Sequence, residues 1–181
     1  MAQELRRSAF GALAFEMKFW ARYLLPTRYL AVYYCTPDHV VQRMLKLADV
    51  GPQDRVYDLG CGDGRVLLAA AKLGASAVGY ELDLELAAAA EAAIKRDNLE
   101  HCCTVHAKDA RKADVSTATV LTLYLSDRGN RELMTLLSPS LKPGTRIVSN
   151  AFSIHGWEEY LVKTIQDPAA GPMHLYQFKL K

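Results

Sequence analysis

The sequence predicts an α/β fold in which a mostly parallel central sheet carries helices on both faces and is closed by a C-terminal antiparallel hairpin. Three observations carry this reading. From residue 36 onward, short β-branched or apolar runs alternate with helical patterns, as in βα units wound about a parallel sheet. The glycine-rich turn Gly60-Cys61-Gly62-Asp63-Gly64 joins a short apolar strand to a helix. The run from Ala118 to Leu125 is continuously apolar and β-branched, the pattern of a strand buried on both faces at the sheet centre.

Each element has its own signals. Thr36-Pro37 reads as an N-cap followed by proline at the first helical position, and Val40, Val41, Met44, Leu45 and Leu47 form the apolar face of the helix that Gly51-Pro52 stops. Residues 55–59 are the first strand, and the helix after the glycine turn spans residues 65–73. Residues 77–81 are the second strand. Asp83 caps an alanine-rich helix that runs to about Asp97, with Asn98 as a stop. A third strand covers residues 103–106. Beyond the fourth strand come a helix over 131–141, the turn Lys142-Pro143-Gly144 and a fifth strand over 145–150. Residues 160–166 and 173–180 form the closing hairpin, joined through the turn-rich stretch 167–172.

Composition limits the functions. A chain of 181 residues suits one domain, and 50% hydrophobic with 23% charged residues is a folding composition. A net charge of +2, from 22 basic and 20 acidic residues, leaves no broad electrostatic footprint for nucleic acid. The four cysteines, Cys35, Cys61, Cys102 and Cys103, contain no C-x-x-C pair, and the five histidines are scattered, so free thiols in a reducing compartment are expected and no metal site is. This places the protein inside the cell, with the cytoplasm first and the mitochondrion second. The first 35 residues read as a helical extension rich in Phe10, Phe15, Phe19, Trp20 and Tyr23. Glu16, Lys18, Arg22 and Arg28 break it into runs well short of the ~18 to 20 apolar residues that span a bilayer. Packing on the domain is the first reading of this segment, and membrane-surface contact the second.

The glycine turn lies where doubly wound folds bind nucleosides, at the carboxyl ends of the strands. Its spacing is G-x-G-x-G, and two carboxylates bracket it, Asp58 before the turn and Asp63 within it. A pyrophosphate there would be repelled by both, at about 1 kcal/mol or more per close pair at a surface-like dielectric. S-adenosylmethionine brings an ammonium and a sulfonium instead. Gly60 and Gly62 would let the backbone approach the methionine portion, while Asp58 and Asp63 meet its positive charge. Glu81, at the end of the second strand, is placed to accept from both ribose hydroxyls, although NAD would satisfy it equally. Asp109, beyond the third strand, is placed to accept from the adenine amine. The competing reading has Asp63 and Asp83 capping helices and Asp109 in a solvated turn.

These residues also resemble a known family. Residues 56–65, the Gly79-Tyr80-Glu81 strand end and Leu121-Thr122-Leu123-Tyr124-Leu125 are similar to Rossmann-like class I S-adenosylmethionine-dependent methyltransferases. The match is most specific to the small archaeal protein-lysine methyltransferases and their eukaryotic mitochondrial relatives. It covers the Thr36-Pro37 entry through Gly156-Trp157 and the closing hairpin, which makes residues 36–181 a methyltransferase domain. The resemblance implies that Thr36 and Ala110 join the cofactor-binding set and that a lysine-containing segment of a protein is the methyl acceptor. The chain departs from that family in having Asn150-Ala151-Phe152 where a histidine or acidic residue commonly precedes the phenylalanine. No Asp/Asn-Pro-Pro-aromatic motif follows the fourth strand, where Leu125-Ser126-Asp127 stands, which argues against exocyclic methylation of DNA bases.

Methyl transfer from a sulfonium is an in-line displacement that chiefly needs alignment and exclusion of water. A lysine acceptor must first lose its proton, and burial among aromatics favours that loss. Tyr124, which could orient an amine through its hydroxyl, and Asn150, which could offer a carbonyl oxygen, are the catalytic candidates. Phe152 and Trp157 are candidates for the acceptor wall, and equally for core. His155 reads as a solvated loop residue more readily than as a base. Rival readings are a methyltransferase for RNA or a small molecule, and a nucleoside-binding protein or NAD-dependent oxidoreductase.

Overall fold

The computed structural model describes residues 29–168 and 170–179. Met1–Val32 and Tyr33–Lys181 are separate units, and residues 29–32, the described part of the first, have no regular secondary structure. The helix expected in the N-terminal extension, with its membrane or lid role, falls outside the described residues.

The second unit is built on one seven-stranded sheet. In chain order its elements are α1 (Asp38–Leu47), β1 (Arg55–Leu59), α2 (Arg65–Lys72), β2 (Ser76–Tyr80), α3 (Leu84–Arg96), β3 (Cys103–His106), β4 (Val120–Leu123), α4 (Asp127–Leu137), β5 (Arg146–Asn150), β6 (Leu161–Asp167) and β7 (Gly171–Gln177). The strand order is β3-β2-β1-β4-β5-β7-β6. Strands β1 to β5 are parallel, while β7 runs antiparallel to β5 and to β6. The order reverses direction between β1 and β4, which creates the crevice where such sheets bind ligands.

Alternation along the strands sorts the core into two layers. Val56, Ala77, Cys103, Val120 and Val148 form one buried cluster with Val40, Val41, Met44 and Leu45 of α1, Val66, Leu67 and Ala70 of α2 and Ile94 of α3. Their neighbours Tyr57, Val78, Leu121 and Ile147 are buried on the opposite face. Helix α4 belongs to that second face, because Asn130 donates from Nδ2 to Ser149 Oγ at 2.9 Å and Ser149 lies two residues from Ile147. Helices thus cover both faces.

Most elements follow the sequence pattern, and α1, α4 and β4 differ at their boundaries for local reasons. Helix α1 starts one residue later than expected. Pro37, extended at φ −59° and ψ 146°, holds the N-cap position, and its carbonyl accepts from Val40 N at 2.9 Å and Val41 N at 3.1 Å. Thr36 caps nothing. Helix α4 starts four residues earlier than expected, at Asp127, because Ser126 Oγ accepts from Gly129 N at 3.1 Å. It ends at Leu137 where the chain tightens into the 3-10 turn Ser138–Ser140, since Pro139 has no N–H for an α-helical bond. Strand β4 is trimmed to Val120–Leu123, with Ala118 N donating to Val115 O in a turn.

Two clamps hold the unit away from the crevice. Arg146, at the start of β5, donates to the carbonyls of Ala48 and Asp49 after α1 and pairs with Asp54 before β1. Arg43 of α1 pairs at 2.7 Å with Asp167 at the hairpin turn, whose side chain is only 1% exposed. Outermost strand β6 is broken by a register shift between Leu161 and Lys163.

Candidate active site

The carboxyl ends of β1, β2 and β3 gather the acidic residues. Asp58 is 7% exposed, and Thr122 Oγ1, its neighbour across the β1–β4 register, donates to Oδ1 at 2.7 Å. Burial pushes the Asp58 carboxyl up to about 7, and the nearby Glu81 and Asp63 carboxylates push the same way. Glu81, just beyond β2, accepts from Gly62 N at 2.9 Å through Oε2 and from Asp83 N at 2.8 Å through Oε1. It therefore holds the glycine turn against the entry to α3, where Asp83 accepts from Glu85 N and Leu86 N as an N-cap. Asp63 is paired through both oxygens with the Arg65 guanidinium, at 2.9 Å and 2.5 Å, which holds its carboxyl below the usual range. Asp109 accepts from Arg111 N at 3.0 Å and forms an ion pair at 2.7 Å with the Arg111 guanidinium, which reaches on to Glu132 at 3.0 Å. Ala110 is buried at the start of the short turn that Asp109 caps.

The glycines of the turn open onto protein. A Cβ on Gly60 would stand 3.2 Å from Leu125 Cδ2, one on Gly62 2.5 Å from Tyr33 Cε2, and one on Gly64 2.9 Å from Ala90 Cβ. All three have positive φ, so both backbone conformation and space require glycine. The contact on Gly62 belongs to residues 33–36, a strap that crosses the turn. Tyr33 lies on Gly62, Tyr34 meets Tyr124 edge to face at 6.0 Å, and the Thr36 carbonyl accepts from Arg65 at 2.5 Å. Burial, and after it the Asp63 carboxylate, push the Tyr33 hydroxyl up to about 12.

The ends of β4 and β5 are neutral. Leu123 pairs with Ser149, so Tyr124 and Asn150 follow side by side. Tyr124 is half-buried, and burial raises its phenol above the usual range. Asn150 is fully buried, and neither its Nδ2 nor its Oδ1 has a hydrogen-bond partner. An orphaned buried amide costs about 1–3 kcal/mol per group, which marks it as a site awaiting a polar partner. The backbone turns sharply after it. Ala151 has φ 64° and Phe152 N donates to the Asn150 carbonyl at 2.8 Å, a strained three-residue turn. Asn130 and Ser149 hold this turn through the Phe152 carbonyl, at 3.1 Å and 2.6 Å. Phe152 is 37% exposed at the rim. Trp157 is buried with Tyr160 and Phe178, ring centroids 4.8 Å and 5.8 Å away, as part of the packing beneath the hairpin. His155 is exposed.

The sheet edge therefore brings Asp58, Gly60, Gly62, Asp63 and Glu81 together at one end of the crevice and Tyr124, Asn150 and Phe152 at the other. Asp109 and Ala110 follow β3, and Trp157 stands apart in its aromatic cluster. Tyr33, Tyr34, Arg65 and Asn130 were not singled out from sequence; the pair Tyr33-Tyr34, one residue ahead of Thr36-Pro37, was the available signal for the strap.

Chemically, three carboxylates, Asp58, Asp63 and Glu81, crowd the turn beside one guanidinium. Asp58 has a hydroxyl for its partner and no cation. Such a set suits a ligand with positive charge of its own, and the ammonium and sulfonium of S-adenosylmethionine fit it. Fold and site together define a methyltransferase that uses S-adenosylmethionine. The ANTKMT methyltransferase domain matches residues 58–160. A protein-lysine N-methyltransferase of Saccharolobus islandicus is 41% identical over 137 residues, which cover 75% of this chain and 85% of that protein. The adenine nucleotide translocase lysine N-methyltransferase of Mus musculus is 28% identical over 166 residues, 88% of this chain and 72% of the mouse protein. Among solved structures, an RNA methyltransferase from Salinibacter ruber in complex with S-adenosyl-L-homocysteine shares 37% identity and a TM-score of 0.77, covering 82% of this chain and 95% of that one. The chain belongs to the ANTKMT methyltransferase family.

Proposed function

We propose that this enzyme methylates lysine side chains of a protein substrate, with Tyr124 and Asn150 at the acceptor nitrogen and Thr36, Asp58, Gly60, Gly62, Asp63, Glu81, Asp109 and Ala110 around the cofactor. The observation that carries the proposal is the acceptor end: Asn150 offers a buried, unpartnered amide one strand over from Tyr124. S-adenosylmethionine supplies an electrophilic methyl group, which a neutral amine captures while sulfur keeps the electron pair of the broken bond. With a reference pKa near 10.4, keeping a lysine neutral at pH 7 costs about 4.6 kcal/mol in water. Burial lowers that demand, because it favours the neutral amine. Asn150 Oδ1 and the Tyr124 hydroxyl accept from the amine and aim its lone pair, and the lysine proton passes to solvent before methyl transfer. Phe152 at the rim covers the lysine stem. The Trp157 indole contributes to the acceptor wall only through the packing beneath it.

RNA is the second acceptor class, favoured by the Salinibacter ruber protein described as an RNA methyltransferase. The near balance of 22 basic and 20 acidic residues favours protein. Four free cysteines fit a reducing compartment, the cytoplasm in the first instance and the mitochondrion in the second. Among the described residues no helix is long and apolar enough to cross a membrane, and no group of histidine, cysteine or acidic side chains could hold a metal ion. We assign residues 1–35 to a helical extension that contacts substrate or a membrane surface. The test is transfer of labelled methyl from S-adenosylmethionine into a whole-cell extract with and without ribonuclease. Label in protein that survives ribonuclease and maps to lysine is the expected result. Label lost with ribonuclease would transfer the assignment to RNA.

A further inference from the structure

We propose that Arg65 is a positioning residue that ties the glycine turn and the strap against Tyr124 into one mechanical unit, so that filling the cofactor site orders the strap that backs Tyr124. The inference rests on placing the cofactor at the glycine turn. Arg65 opens α2, directly after the turn, and its guanidinium is used in three directions. Nε and Nη2 hold both oxygens of Asp63 in the turn, at 2.9 Å and 2.5 Å. Nη1 donates to the Thr36 carbonyl of the strap at 2.5 Å and stands 3.8 Å from Asp38 at the start of α1. A planar fork that satisfies a carboxylate bidentately while donating elsewhere is specific to arginine, and lysine cannot reproduce it.

The strap carries that attachment to both ends of the crevice. Tyr33 covers Gly62, so a shift of the turn meets its ring at once. The next residue, Tyr34, is 67% exposed and stands edge-on to Tyr124 at 6.0 Å, with an interplanar angle of 80°. Movement at Asp63 or Gly62 therefore reaches Tyr124 through two adjacent side chains and one guanidinium. The strap is also held by a hydrogen bond between the Tyr33 hydroxyl and Asp63 and by the burial of Thr36. No regular secondary structure includes residues 33–36, and an exposed Tyr34 contributes little burial of its own. A segment without regular secondary structure is one whose order a bound ligand can change.

Hydrogen exchange of the full chain, with and without S-adenosylhomocysteine, tests the coupling. In the wild type, the ligand should slow exchange in the peptide over residues 60–64 and, together with it, in the peptide over 33–36, by about fivefold or more, the lower end for coupled sites. In Arg65→Ala the turn should remain protected while the strap loses its response, and Arg65→Lys should recover only part of it. Strands β1 and β4 should exchange alike in all three proteins, which separates loss of coupling from loss of fold. A wild-type strap indifferent to the ligand, or a strap that still responds fully in Arg65→Ala, would overturn the proposal while leaving the cofactor placement standing. Failure of the ligand to protect residues 60–64 would remove both. Should Arg65→Ala not fold, Arg65→Lys carries the test alone, and a full strap response in it overturns the proposal.

Discussion

The two ends of the crevice differ in how their polar groups are met. At the β1–β2 end, Glu81 and Asp63 are engaged through both oxygens, by backbone N–H groups and by Arg65, and Asp58 is buried beside a hydroxyl among like charges. At the β4–β5 end, the side chains of Tyr124, Asn150 and Phe152 are uncharged, and among the described residues the buried Asn150 amide has no hydrogen-bond partner. The first end is built around charge and is held in shape before any ligand arrives. The second is built around buried neutral groups, and the Asn150 amide and Asn130 Oδ1 are left open. On the proposed assignment, binding selectivity for a cationic cofactor belongs to the first and control of a proton-shedding acceptor to the second, so separate experiments can reach them.

The largest effect is expected at the charged end. Asp58→Ala should weaken S-adenosylmethionine binding well beyond tenfold, or about 1.4 kcal/mol and more, read by calorimetric titration while the thermal transition persists. Retained affinity in both Asp58→Ala and Glu81→Ala would erase the contrast between the ends. Next in size, Tyr124→Phe should cut turnover by about tenfold with little change in affinity for S-adenosylhomocysteine, the pattern of a group that acts on the acceptor. If affinity falls and turnover per bound cofactor does not, Tyr124 belongs to the cofactor end.

A pH series sharpens the same contrast. Because the Asp58 carboxyl is pushed up to about 7, a cationic ligand favours its ionised form, and affinity should fall by as much as about tenfold per unit as pH drops below that value. Calorimetry in buffers of different ionisation heat should detect proton release on binding near pH 7. The linkage to stability has the opposite sign. Between about pH 4 and 7 the folded empty protein binds the Asp58 proton and the unfolded chain does not, so stability falls as pH rises through that window. Asp58→Asn should remove the fall. The smallest effect is expected from Asn150→Leu, which should raise the stability of the empty protein by about 1–2 kcal/mol in urea unfolding while lowering turnover. Lowered stability would mean that the amide has a partner after all.

The parallel sheet was legible because its signals are local: a glycine turn after a short apolar strand, an aspartate cap at residue 83, a doubly buried run at residues 120–123. Helix α4 was misplaced at both ends because Ser126 and Pro139, its start and stop signals, lie outside the most regular apolar stretch. Within the site, residue types were legible and their partners were not. Asp63 could be read as a carboxylate facing a ligand, yet its pairing with Arg65 depends on where the first turn of α2 points a long side chain. Asp109 likewise turns back on Arg111, two residues along. The strap escaped because its function depends on Tyr33 reaching Gly62 across 29 residues of chain, and no periodicity encodes such a meeting.

The outer strand has a consequence for how the molecule meets its neighbours. A sheet edge is an invitation to add another strand, and β6 declines it: the irregularity between Leu161 and Lys163 spoils the hydrogen-bonding row, and an exposed lysine adds charge to it. The opposite edge, β3, has only four residues to offer. An extended protein segment presenting a lysine would thus have little to zip onto at either side and would have to be caught crosswise, over the strand ends. Recognition of that kind reads a side chain and its immediate surroundings rather than a length of backbone, and it tolerates acceptors of many shapes.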